Sequence, residues 1–395
     1  MATALLPVDC ASAEFNSISA LHILQHSLRI LFLVVIVHTD HDSRKESKEI
    51  RVTRPTPARP RAVTVGEGLA VLIARPGPLE DSPVFERGAG GAEANVAAVL
   101  AQLGVPTAWV SRVGDDGFGR YLRRQLDERG VNTAAVTVDS ERPTAVYVKE
   151  RGSGSRLPHD LAAGASRMLY YRSGSAASAL SPGDLDAAGY LLDGCELIHT
   201  TGITTALSPT ATALTEALGW LPRRGRLLSF DLNYRPALWN RRTDSPADVL
   251  ARHLRTCDVA FVGADEAEIV FGTGDPARLR KLFPQPRHLI VKNDKHSVTG
   301  FLGDDHLEVP ALTLEITERI GAGDAFAGGY LAALLQGRPH EQLLRFGHLC
   351  AAAALTGTGD FAALPPLPAL AAYAALPENE WGALHYGRIA ENVAS

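Results

Sequence analysis

The run Ile320-Gly321-Ala322-Gly323-Asp324-Ala325-Phe326-Ala327-Gly328-Gly329-Tyr330 leads into an apolar stripe at Leu331, Leu334 and Leu335. Glycines placed just ahead of a helix let backbone N–H groups converge on one anion, helped by the positive end of the helix dipole. A phosphoryl group in transfer needs such a place, because its catalysis is mostly positioning and stabilisation of charge. Gly321, Ala322 and Gly323 are therefore the candidate anion cradle. Asp324 falls in the first helical turn, where the dipole favours an ionised carboxylate at neutral pH. It is the candidate base for an attacking hydroxyl. A tight glycine turn with an aspartate cap would use the same four residues, so this string alone leaves both readings open.

A second glycine-rich string, Gly90-Gly91-Ala92-Glu93-Ala94-Asn95-Val96-Ala97, continues through Leu103-Gly104 to Arg112-Val113-Gly114-Asp115-Asp116-Gly117-Phe118-Gly119. Arg172 follows one strand candidate, and Arg235 lies just beyond Asp231 at the end of another, so both can reach one cleft. An arginine fork matches a carboxylate bidentately, which points to an anionic substrate. For either arginine a surface salt bridge is the plainer alternative. Tyr170 and Tyr171 point to opposite faces of a strand, so one can face a ligand while the other packs.

Taken together, the two strings resemble the N-terminal and C-terminal signatures of the ribokinase, or phosphofructokinase-B, family of carbohydrate kinases, over roughly Ala62 to Pro368. The resemblance implies an α/β ribokinase-like fold: a doubly wound, mainly parallel sheet with helices on both faces and a small β-sheet lid often involved in dimer contacts. It also implies ATP and Mg²⁺. Within the family, Gly90-Gly91-Ala92-Glu93 with Asn95, Tyr147, Tyr170 to Ala176, Thr201-Gly202-Ile203-Thr204 and Asp231-Leu232-Asn233-Tyr234-Arg235 are similar to kinases of 2-keto-3-deoxygluconate. That likeness implies sugar-acid contacts from Gly91, Asn95, Tyr147, Tyr170, Arg172, Arg235 and Asp324.

The nucleotide half departs from the family pattern. Where Asn-x-x-Glu is usual, the chain has Gly263-Ala264-Asp265-Glu266, so Glu266 is left to organise water around Mg²⁺. The usual Lys-x-Gly-x-x-Gly turn reads Lys292-Asn293-Asp294-Lys295-His296-Ser297. Asp294 accepts a left-handed turn more readily than Ser297 does. Lys292, Asp294 and Ser297 are the expected nucleotide contacts together with Gly321 and Gly323, and Gly357-Thr358-Gly359-Asp360 is the expected adenine-side loop. Two rival readings remain: a kinase for 5-dehydro-2-deoxygluconate, fructose or another ketose, and a non-catalytic sugar sensor whose nucleotide loop has drifted.

Positioning these residues calls for strands at Ala62 to Val65, Leu69 to Ile73, Thr107 to Val113, Ala145 to Lys149, Met168 to Arg172, Leu197 to Thr200, Leu227 to Asp231, Val259 to Val262 and Leu289 to Lys292. Helical stripes lie between many of them, and Ser181-Pro182 and Ser208-Pro209 are helix starts. Leu69 to Glu86 and Ala145 to Arg172 are strand-rich without a long helix and are assigned to the lid. The kinase domain is expected over residues 61–372 and a C-terminal tail over 373–395.

Composition sets the outer bounds. Hydrophobic residues at 46% and charged residues at 21% suit a globular chain with a large core. A net charge of -5 without a long basic run gives no pull toward nucleic acid. Cys10, Cys195, Cys257 and Cys350 lack metal or redox spacing, so buried thiols in a reducing, cytoplasmic setting are expected. Residues 1–60, with the charged run Asp40 to Lys48 and the Arg/Pro segment Arg51 to Arg61, read as a disordered extension or a misassigned start. The apolar run Ile30 to Val37 is well short of the ~20 residues a membrane helix needs. The expected partners are a small sugar acid and ATP, with a homo-oligomer through the lid as a further possibility.

Overall fold

Runs such as Ala62-Val63-Thr64-Val65 and Val259-Ala260-Phe261-Val262 are buried at every position, as befits strands covered on both faces. The computed structural model describes residues 59–240, 242–357, 359 and 361–387. The expected extension up to residue 58, Cys10 within it, and Thr358 and Asp360 of the expected adenine-side loop lie outside the described residues. In chain order the strands are β1 (Ala62–Val65), β2 (Leu69–Pro76), β3 (Phe85–Gly90), β4 (Thr107–Gly114), β5 (Val131–Asn132), β6 (Val136–Asp139), β7 (Val146–Arg151), β8 (Ser166–Tyr171), β9 (Leu197–Thr201), β10 (Leu227–Asp231), β11 (Val259–Gly263), β12 (His288–Asn293), β13 (Ser297–Leu302) and β14 (Asp305–Pro310).

The main sheet runs β14-β13-β12-β11-β10-β9-β1-β4-β5, with β6 also paired to β4. Pairing is parallel from β12 to β5 and antiparallel at the β12-β13-β14 edge. Strand order reverses around β1, which lies between β9 and β4. Beyond the carboxyl ends of such strands an open α/β sheet holds its ligand. Helices Ala92–Gln102, Ala322–Leu335 and His340–Thr356 contribute to one core cluster, and Pro209–Trp220 and Pro246–Thr256 to another. Ser208 accepts the amide of Ala211 with Pro209 in the first helical position, and Ser181 with Asp184 forms a capping box, as the Ser-Pro pairs predict.

The second sheet, β3-β2-β7-β8, has its own small apolar cluster around Leu69, Val71, Ala145 and Tyr147. It rises from the end of β1 through Gly66-Glu67-Gly68 and returns to the body at Gly91, where φ is 132° and a Cβ would sit 2.4 Å from the Glu67 carbonyl oxygen. Only glycine fits that crossing. This is the expected doubly wound, mainly parallel architecture with a separate small sheet.

One boundary is corrected. The segment expected as a tail packs on the body as far as Gly387: Ala374, Trp381 and Tyr386 are buried in the core cluster, and the Trp381 indole donates to the Pro310 carbonyl. These apolar residues cover the β14 side of the sheet. Cys195, Cys257 and Cys350 are buried free thiols. No helix among the described residues is long and apolar enough to cross a membrane.

Candidate active site

Five strands of the main sheet bring residues at or just beyond their carboxyl ends to one cavity of about 350 Å³. β1 leads to Glu67, β9 to Ile203, β10 to Asp231 and on to Asn233 and Arg235, β11 to Glu266, and β12 to Lys292. The small sheet covers the cavity with Tyr147, Met168 and Tyr170, and Arg172 follows β8. Gly91 and Asn95 line it from the N-terminal glycine string, and Gly321, Gly323 and Asp324 from the C-terminal one.

Gly321 is the left-handed N-cap of the helix Ala322–Leu335, with φ 76°. The first intrahelical bond is donated by Ala325 to the Gly321 carbonyl, so the amides of Ala322, Gly323 and Asp324 precede it. Asp324 is held from two sides. Asn95 Nδ2 donates to Oδ2 at 2.8 Å and Asn233 Nδ2 to Oδ1 at 3.4 Å. The Oδ1 atoms of both asparagines are buried without a protein donor, which suits hydroxyl groups of a sugar. The expectation that the helix dipole keeps Asp324 ionised is corrected. Burial pushes its carboxyl up to about 7, with the Asp231 charge adding, against the Asn95 hydrogen bond and the charges of Lys292 and Arg235. At neutral pH it is therefore divided between its two forms, the condition that suits a general base.

Both arginines border the cavity, and each is already engaged. Arg172 is ion-paired with buried Glu67, which also meets Ser175 Oγ at 3.5 Å. Burial raises the Glu67 carboxyl, opposed by the Arg172 charge. Arg172 Nε is buried without a protein acceptor, and the guanidinium lies 5.3 Å from the Tyr170 ring. Arg235 Nη1 donates to Glu266 Oε1 at 2.7 Å. Tyr147 and Tyr170 are opposite each other in the β7–β8 register with ring centroids 5.4 Å apart. Tyr171 points the other way, as expected, but is 65% exposed instead of packed.

On the nucleotide side, Lys292 Nζ donates to Asp231 Oδ2 at 2.9 Å, and a Cβ on Gly323 would lie 3.5 Å from that ammonium. Burial works against the Lys292 charge, but Asp231 and Glu266 outweigh it and raise its pKa. A cation thus stands beside the glycine cradle. Asp294 takes the left-handed turn with φ 41°, so the hairpin forms without its glycine. Ser297 is corrected: it is a buried β13 residue whose hydroxyl donates to Glu308, and it does not line the cavity. Asp231 Oδ1 is buried with no protein partner, and burial and the Asp231 charge together push the Glu266 carboxyl up. Two carboxylates bordering one cavity, beside the glycine turn, fit the way Mg²⁺ is held by one or two carboxylates, waters and phosphates.

Glu67, Asn233 and Glu93 had no assigned role in the sequence. Glu67 is a lone charge between two glycines and two apolar strands, a pattern that marks a buried partner. Glu93 is fully buried, accepts from Thr201 and Thr204, and is pushed up to about 7 by burial. Asn233 is held at a positive φ of 33°, which no spacing in the sequence announces.

A family model for pfkB carbohydrate kinases matches residues 61–366. The chain is 33% identical over 315 residues to 2-dehydro-3-deoxygluconokinase of Thermoproteus tenax, covering 79% of this chain and 93% of that one. It is 30% identical over 304 residues to fructokinase-1 of Zea mays, covering 73% and 88%. The crystal structure of a Xylella fastidiosa fructokinase with bound ATP matches with a TM-score of 0.67 at 25% identity, over 79% of this chain and 97% of that one. With its glycine turn, the aspartate that follows it and these relatives, the chain belongs to the pfkB family of carbohydrate kinases.

Proposed function

We propose that the protein transfers the γ-phosphoryl group of ATP to the 6-hydroxyl of 2-keto-3-deoxygluconate. The observation that carries this reading is Asp324, held by Asn95 and Asn233 next to the glycine turn, in a cavity that also contains the lid arginine Arg172. In this reading the sugar hydroxyl oxygen attacks the γ-phosphorus, the bond from that phosphorus to the β,γ-bridging oxygen breaks, and ADP leaves. Asp324 takes the hydroxyl proton and later releases it to water. The amides of Ala322, Gly323 and Asp324, with the Lys292 ammonium, balance the charge on the moving phosphoryl group. Mg²⁺, when bound, neutralises phosphate charge, and Asp231 and Glu266 would hold it. Arg172, oriented by Glu67, and Arg235 orient the sugar carboxylate, while Tyr147 and Tyr170 pack on the carbon chain.

A neutral ketose is the second reading, supported by the fructokinase relative and by asparagine acceptors that suit any polyol. Coupled ADP release with 2-keto-3-deoxygluconate, 5-dehydro-2-deoxygluconate and fructose separates the two. The expected kcat/KM favours the first substrate over fructose by roughly tenfold or more, about 1.4 kcal/mol of transition-state binding. A preference for fructose would remove the carboxylate role of the arginines.

A further inference from the structure

Lys149 is a charged side chain buried in β7 of the small sheet, and its ammonium is ion-paired with Glu318 of the main body. Side chains alternate along a strand, so Tyr147 and Lys149 share one face. On the neighbouring strand Tyr147 is opposite Tyr170 and Lys149 is opposite Met168. Tyr147, Tyr170 and Met168 all line the cavity. The strand that covers the acceptor pocket therefore also grips the main body two residues further on.

Glu318 stands three residues before Gly321, and Arg319 and Ile320 between them border the cavity. The amides of Thr317 and Glu318 both donate to the Leu355 carbonyl, which anchors the base of this stretch on the helix His340–Thr356. The glycine turn is thus held from below by that helix and from the lid by Lys149. In contrast, Glu150, the next residue along β7, pairs with Arg167 of β8 and stays within the lid. A charge pair largely out of water tolerates separation poorly, because water does not make good the lost attraction. Movement of the small sheet, which has its own apolar cluster, is for that reason tied to movement of the stretch leading to the cradle.

We propose that Lys149 and Glu318 form a strut by which a sugar seated under the lid sets the glycine turn for the nucleotide phosphates, so that sugar and nucleotide bind with positive coupling. Both are positioning residues and neither touches a reacting atom. The inference rests on Gly321 to Asp324 being the phosphate cradle. By linkage the coupling is reciprocal: each ligand tightens the other by the same factor.

Calorimetry on the full chain tests this, with a non-hydrolysable ATP analogue and Mg²⁺, with and without a saturating amount of the sugar that the wild type phosphorylates fastest. Sugar should tighten analogue binding by about fivefold or more in the wild type, within the usual range of coupling between sites. In Lys149→Met the factor should fall below about twofold, and Lys149→Arg should restore most of it. The double variant Lys149→Met/Glu318→Gln removes both charges together, which guards against misfolding from one stranded charge, and should also bind without coupling. A merely structural loss would weaken each ligand alone and leave the ratio unchanged. The wild-type factor persisting in Lys149→Met and the double variant would overturn the strut, as would a wild-type factor of one. Failure of the wild type to bind the analogue at all would instead overturn the cradle reading beneath it.

Discussion

Replacing Asp324 with asparagine keeps the shape of the side chain and removes its charge, so activity and stability should move in opposite directions. Loss of a positioned base lowers kcat by roughly 10²- to 10⁴-fold while leaving the sugar KM nearly unchanged. For stability, burial raises the carboxyl from 3.8 to about 7. Between those values the folded protein holds a proton that the unfolded chain has already lost, so wild-type stability falls as pH rises. Above about 7 both states are ionised and the loss is complete. From pH 5 to pH 8 about two units of that window are crossed, worth on the order of 3 kcal/mol. The Asp324→Asn side chain does not titrate, so the variant's thermal midpoint should gain on the wild type by roughly 5 °C between pH 5 and pH 8. Glu93 titrates in the same range, but it is present in both proteins and largely cancels in the difference. The assays are ADP release for wild-type kcat/KM, expected to rise tenfold per pH unit and level off near 7, and paired melting curves at each pH. A variant kcat within tenfold of wild type, or a midpoint difference that does not change with pH, would refute the assignment of Asp324 as a base with a raised pKa.

Arg172→Lys should raise the KM for the sugar acid by roughly 10- to 100-fold, because a charge-assisted fork is worth about 1.5–3 kcal/mol and an ammonium cannot reproduce it. Turnover of fructose, measured in the same assay, should change by less than about threefold. Trp381→Ala should lower stability by about 3–5 kcal/mol through the cavity it opens, read as a lower thermal midpoint with kcat unchanged at 25 °C. An unshifted midpoint would place the C-terminal segment off the core.

The central parallel strands were legible because burial on both faces makes their apolar runs nearly unbroken, as in Val259-Ala260-Phe261-Val262, whereas the short parallel strands β5 and β6 beside β4 were not. Strands β13 and β14 were not, since Gly300 and the polar run Asp305-His306 dilute the alternation along this antiparallel edge. β3 hides for the same reason in Phe85-Glu86-Arg87-Gly88, whose residues are mostly exposed. At the site, the glycine turn marked Asp324 and a strand end marked Arg172, because both leave a local trace, while Asn95 was marked by the family resemblance. The partners of those residues left none. Glu67 meets Arg172 across 105 positions of chain and Lys149 meets Glu318 across 169, and no local spacing encodes a contact of that range. The sign of the Asp324 shift was also hidden, because the helix end is visible in the sequence whereas the depth of burial that outweighs it is set by the fold.

The small sheet is made of two chain excursions, one leaving β1 and returning at Gly91, the other entering after β6 and returning before Ser175. Each begins and ends at the same rim of the main sheet, so either can lengthen, shorten or change its side chains without altering a single register in the layer beneath. The share of the cavity wall that the excursions supply, Tyr147, Met168, Tyr170 and Arg172, can thereby vary among relatives while the layer that carries Asp324 and the glycine turn keeps its pairing.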